Sequence, residues 1–421
     1  MPGPYRMVSV AILVVGVAFA GGCDDPQISP PAVDTVAPAR ITDLRVAGGL
    51  HASLDLVWTA TGDDGNAGAA TTYDVRISTR PFDAASWAFV DRLEVTLVPG
   101  SAGTTERLHV PFLASGTPYY FAVRALDELT NTSPASDVVM GATRAFRFEL
   151  GWHGAFSGPH GITVDDMGRV YVADTAQNLI KVFTSDGTPL RSFGATGTNQ
   201  GQFAQPYGIA FGSGALYVAD TFNERIQAFS REGLFLFEWG EAGDGNGQFQ
   251  HPVGIATDPD GNVYVTDSIT DRVQRFDRNG VFRAGWGMPG RAVGTFDDPV
   301  GVAADAAGNV FVVDQGNQRI QVFTRDGVFV RNWGHYGTDA GGFIQPAGIA
   351  VDSDGAVYVT DEFRSDFQKF TPRGSWIGRW LTRLPEASRP NGIAIRPPGF
   401  AFLSFVDGDI VSRFGPEFPP D

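Results

Sequence analysis

Six Pro-x-Gly triplets carry the residues best placed for chemistry, and their middle positions read His160, Tyr207, Val253, Val300, Ala347 and Asn391. The glycines of these triplets are spaced by 44 to 47 residues, so each middle residue holds the same place in a repeat. If the repeats close into a ring, these side chains meet at its axis. Three histidines at such a point would hold Zn²⁺ with a fourth position open. Here only His160 has that identity; Tyr207 and Asn391 are poor ligands, and the three aliphatic positions cannot ligate. A hard cation such as Ca²⁺ needs six to eight oxygens, and the ring offers Asn391. A second series of acids recurs as Asp174, Asp220, Asp267, Asp314 and Asp361. Arg225, Arg272 and Arg319 each follow five residues after one of these, which favours structural ion pairs over catalysis. The chain has no Gly-x-Ser-x-Gly elbow, P-loop or Cys–His pair. His160, Tyr207 and Asn391 are therefore the candidate ligand-binding residues, with no metal site or cofactor expected.

The elements that must position them are short strands. Pro299 to Gly334 reads as four: Gly301–Ala304, Val310–Val313, Arg319–Phe323 and Val328–Trp333, joined by turns holding Gly beside Asp or Asn. Such short links require antiparallel pairing of sequence neighbours. The companion marks keep step: strands YVAD, YVAD, YVTD, FVVD and YVTD, partners IKVF, RIQAF, RVQRF, RIQVF and FQKF, and a closing Trp-Gly at Trp239, Trp286 and Trp333. One such sheet cannot bury both faces alone, so the copies must pack on each other.

This pattern resembles the NHL repeat, over about Phe146 to Phe418. The resemblance implies a six-bladed β-propeller at 146–418. The last copy, FAFLSFVDGDIVSRF, has Phe405 in place of Asp and no fourth strand. Phe146–Gly151 is expected to supply that strand, in register with Leu236–Gly240, and so to close the ring. From 40 to 143 the pattern becomes a sandwich of short alternating strands. Trp58, and Leu113 six residues before Tyr119, resemble the fibronectin type III pattern, in which the Trp fills the core and the Tyr makes a corner hydrogen bond. The expected fold is all-β: a fibronectin type III-like β-sandwich, then the propeller.

The N-terminus reads as targeting. Arg6 precedes the apolar run Val8–Ala20, which is short for a membrane span, and Ala20-Gly21-Gly22-Cys23 resembles a bacterial lipobox. That resemblance implies a signal peptide over 1–22 and lipidation of Cys23, the only cysteine in the chain. Residues 23–39, with four prolines in Asp24–Ala39, form an extended tether. The expected location is the bacterial cell envelope, lipid-anchored and periplasmic or surface-exposed.

Charge narrows the partners. With 31 basic against 47 acidic residues, net −16, and two lysines in all, the chain should repel nucleic acid. The expected function is a non-catalytic binding or scaffold module, a monomer, that takes a protein or polysaccharide partner on the propeller's loop face. The alternative is a metal-dependent lyase or lactonase-like hydrolase acting in the propeller channel, as in the amidating lyases of NHL type and the six-bladed lactonases.

Overall fold

The computed structural model describes residues 34–49, 52–153, 156–382, 389–397 and 399–416. The signal segment, Cys23 and most of the tether lie outside these residues.

Every blade begins with a proline, and the reason is geometric. Pro159, Pro206, Pro252, Pro299, Pro346 and Pro390 each open the innermost strand of a sheet, where the missing N–H is tolerated. Two residues later the glycine meets the neighbouring blade. A Cβ on Gly161 would lie 2.3 Å from the Tyr207 carbonyl oxygen, and one on Gly254 would lie 2.0 Å from that of Val300. The contact passes round the ring and ends with Gly392 against the His160 carbonyl, 2.3 Å from the added Cβ. Only a residue without a side chain lets the inner strands approach so closely. Hydroxyls and an amide tie the same strands together: Thr175 donates to the Pro206 carbonyl at 2.6 Å, Thr221 to Pro252 at 2.7 Å, and Gln315 to Pro346 at 2.9 Å.

Six four-stranded antiparallel sheets result, five of them running outward in chain order. In the blade that begins at Pro299, the strands are Pro299–Ala304, Asn309–Asp314, Arg319–Thr324 and Phe329–Trp333. The sixth sheet takes its outermost strand, Phe146–His153, from the start of the propeller, paired antiparallel to Ile410–Pro416. The ring is therefore closed, though with a different register from that expected. Trp152 pairs with Val411 as Trp239 pairs with Ile226, and Gly187 lies over the Trp152 ring as Gly280 lies over Trp239. The strand is displaced by two residues from the alignment on Leu236–Gly240. A slide of two preserves which side chains face which side, and Gly151 imitates the glycine that follows Trp239.

Between blades the core is aromatic and aliphatic. Trp286 and Phe329 pack with Tyr264, Phe296, Val312 and Phe323, so residues of two consecutive blades share one cluster. The long loops are anchored in the same way. Phe156, Phe203, Phe249, Phe296 and Phe343 are buried from loop positions, with ring centroids 5.3–5.8 Å from Phe183, Phe229, Phe276, Phe323 and Phe370.

Residues ahead of the propeller form two facing sheets. One holds Arg45–Gly49, Leu54–Thr59 and Thr105–Val110; the other holds Asp91–Leu93, Thr72–Ser78, Pro118–Leu126 and Val139–Ala142. Trp58 is fully buried between them, 5.0 Å from the Tyr73 ring, and the Tyr119 hydroxyl accepts from the Ala114 N–H at 2.9 Å. Phe112 packs on the sixth-blade cluster around Phe146 and Phe414, joining sandwich to ring.

Candidate functional site

The aligned aspartates are fully buried and engaged in structure. Asp220 accepts from the Ala204 N–H at 2.8 Å, from Arg225 Nε at 2.8 Å and from Gln227 Nε2 at 2.9 Å. Asp314 accepts from the Asp297 N–H at 2.9 Å, from Arg319 Nε at 2.6 Å and from Gln321 Nε2 at 3.0 Å. Each carboxylate thus pins the loop entering its own blade. The expected Asp267–Arg272 pair does not form: Asp267 accepts from the Gln250 and His251 N–H groups, while Arg272 donates to the carbonyls of Asp244, Gly245 and Gln248. Lys181 supplies the cation for Asp174, at 2.7 Å. In the fifth blade Arg364 reaches the Gly342 carbonyl, standing in for the strand arginine that Asp366 has replaced.

Inside this ring of scaffolding the inner strands enclose a cavity of ≈ 290 Å³ at the channel mouth. His160, Tyr207, Val253, Val300, Ala347 and Asn391 all line it, so the six triplets do converge. A second tier joins them that was not singled out from the sequence: His251, Ser268, Asp298, Gln315, Gln345 and Glu362. His251, Asp298 and Gln345 immediately precede the blade prolines, and Ser268, Gln315 and Glu362 immediately follow the aligned aspartates. That register was available as a signal.

The side chains form two groups. On one side the Tyr207 ring lies between two imidazoles, 4.4 Å from His160 and 5.9 Å from His251. His160 Nδ1 is 3.0 Å from the Gly158 carbonyl oxygen, and His251 Nδ1 is 2.8 Å from Ser268 Oγ. Burial lowers the pKa of both imidazoles, and the Arg389 charge adds to the effect on His160. On the other side Asn391 Nδ2 donates to Glu362 Oε1 at 2.6 Å, and Gln345 Nε2 donates to Oε2 at 3.1 Å. Burial pushes the Glu362 carboxyl up, partly offset by the Asn391 hydrogen bond and by Arg389. Burial and the Glu362 charge raise the Tyr207 phenol. Around the opening Phe222, Ile269 and Phe363 stand 52%, 58% and 60% exposed, on the short loops after the aligned aspartates. Among the described residues no three His, Cys, Asp or Glu side chains are grouped so as to hold a metal ion.

Two side-chain amides of the long loops, Gln202 and Gln248, hold their own loops. Gln202 Oε1 accepts from the Asn199 N–H at 3.1 Å, and Gln248 Oε1 from the Gly245 N–H at 3.0 Å.

The NHL repeat model matches residues 156–183, 249–276, 296–323 and 343–369. A solved protein of unknown function from Bacteroides thetaiotaomicron superimposes with a TM-score of 0.57 at 16% identity, over 91% of this chain and 99% of its own. A streptogramin B lyase reaches a TM-score of 0.48 at 16% identity, over 65% of this chain and 98% of its own. Calcium-activated chloride channel regulator 1 of Macaca mulatta is 33% identical over 116 residues, and its human counterpart is 33% identical over the same length. These alignments cover 26% of this chain and 12% of the relatives' length. The chain carries NHL repeats within an all-β fold built around a closed propeller.

Proposed function

We propose that the protein is a non-catalytic binding module of the bacterial cell envelope, anchored through a lipid on Cys23, which takes a protein or polysaccharide partner at the mouth face of the propeller. The sandwich, of fibronectin type III kind, would serve as a spacer on the tether. One observation carries the reading. The aligned carboxylates are consumed in holding loops, whereas the mouth collects imidazoles, amides and a phenol beside Glu362 and Asp298, under an exposed apolar rim. Such a mixture suits recognition. To test it, envelope polysaccharide and envelope protein fractions are passed separately over the immobilised chain. Tyr207→Ala should reduce capture at unchanged melting temperature, and substitutions on the sandwich strand Thr105–Val110 should not. The opposite pattern would make the sandwich the reader.

The alternative, a lyase or lactonase-like hydrolase in the same cavity, is favoured by the shifted Glu362, His160 and His251 gathered in one cleft. Turnover of an ester, lactone or amidated-peptide precursor that is abolished by Glu362→Gln would establish it. Its metal-dependent form predicts, in addition, loss on chelation.

A further inference from the structure

The mouth cavity has the size and lining of a sugar site. Its ≈ 290 Å³ is the space of roughly ten waters, enough for one pyranose ring. The Gly158 carbonyl can only accept, so the His160 proton sits on Nδ1 and Nε2 presents a lone pair. The Tyr207 hydroxyl and Asn391 Oδ1 have no protein partner among the described residues, and each oxygen of Glu362 has one amide donor and a lone pair to spare. Hydroxyl groups both donate and accept, and they match this mixed set better than a ligand bearing only donors or only acceptors. Aromatic surface is present too. Tyr207 lines the cavity, and Phe222 meets the His251 ring edge-on at 5.5 Å and continues the apolar surface outward. A pyranose presents such a pairing of apolar C–H face and polar edge.

Charge sets the class of sugar. Glu362 and Asp298 line the mouth of a chain of net −16, so a uronate would meet repulsion. Arg389 lies close enough to act on both His160 and Glu362, and Glu362 already holds two amide donors, so an ammonium gains little there.

Resting on the reading of the mouth as the binding face, we infer that this cavity takes the terminal unit of a neutral hexose polysaccharide, with the next units lying over Phe222 and Phe363. Calorimetric titration of the full chain with neutral hexose oligosaccharides should give saturable binding, and oligomers of uronic acid should bind at least tenfold more weakly. Tyr207→Ala and Asn391→Ala should each weaken binding about tenfold or more. Tyr207→Phe, which keeps the ring, should lose less and guards against misfolding as the cause. Phe222→Ala should weaken longer oligomers while sparing the monosaccharide. Equal or tighter binding of the charged oligomers, or an unchanged affinity in Tyr207→Ala, would overturn the inference. If Tyr207→Ala abolishes capture of an envelope protein while no saccharide binds, the sugar assignment fails and the mouth remains the binding face.

Discussion

Asp366 stands directly opposite Asp361 in the fifth blade, where Arg225 and Arg319 face Asp220 and Asp314 in theirs. It is 1% exposed and one of its oxygens has no partner, so burial raises its pKa from 3.8 to about 6 despite Arg364 at 3.1 Å. The folded state then holds the proton more tightly than the unfolded one, and stability falls as pH rises from about 4 to about 6. Asp366→Asn should remove that loss, gaining roughly 3 kcal/mol relative to the parent across this window, as followed by denaturant unfolding at several pH values. A parallel pH dependence in parent and variant would contradict the assignment. At this scale the sequence was half legible. His160, Tyr207 and Asn391 could be placed because a fixed triplet brackets them. His251 and Glu362 escaped because the positions before the proline and after the aligned aspartate vary from blade to blade, so no residue common to all the blades marks them. Trp152 escaped because a two-residue slide leaves the alternation of faces intact.

The strand Phe146–His153 is the element that closes the ring. It sets Phe146 edge-to-face against Phe367 and Trp380 at 6.0 and 5.3 Å, and places Trp152 against Phe183 and Phe402. Deleting it should expose the third strand of the sixth blade, broaden the thermal transition and drive soluble aggregation measurable by light scattering. An unchanged cooperative transition would mean that the ring does not depend on this closure. Trp286→Ala should cost about 3 kcal/mol, because the indole fills the space between two blades beside Tyr264 and Phe323. Guanidine unfolding checks the figure, and a loss below about 1 kcal/mol would place the indole outside the core. The blade strands were readable from their period and turns to within a residue or two. The stiffness of the long loops was not. Gly-Gln-Phe reads as a polar connection, yet Phe203 and Phe249 are wholly buried, and only packing across a blade shows why.

For the whole molecule, the contact between sandwich and propeller includes a titratable bridge. His109 Nδ1 is 2.8 Å from Asp55 on the sandwich, and Nε2 is 3.4 Å from Asp354 on the fifth blade. Burial depresses the imidazole pKa, but the Asp55 hydrogen bond and the Asp354 and Asp55 charges outweigh it, so the net shift is upward. The stabilisation from this bridge is complete below the ordinary histidine range and is lost as pH rises through the raised folded value. Calorimetric scans should therefore show the two parts melting closer together at acid pH and separating at alkaline pH. His109→Ala should abolish that pH dependence; separation that persists unchanged in the variant would rule the bridge out.

The central claim is that the partner is read at the propeller mouth. Hydrogen–deuterium exchange on the full chain, with and without a saturating partner fraction, tests it most directly. The account predicts slowed exchange in the rim loops Thr221–Asn223, Ser268–Asp271 and Glu362–Ser365 and in the backbone at Tyr207 and Asn391, with the sandwich unchanged. Protection confined to sandwich strands such as Thr105–Val110, with the rim loops exchanging as in the free protein, would contradict it.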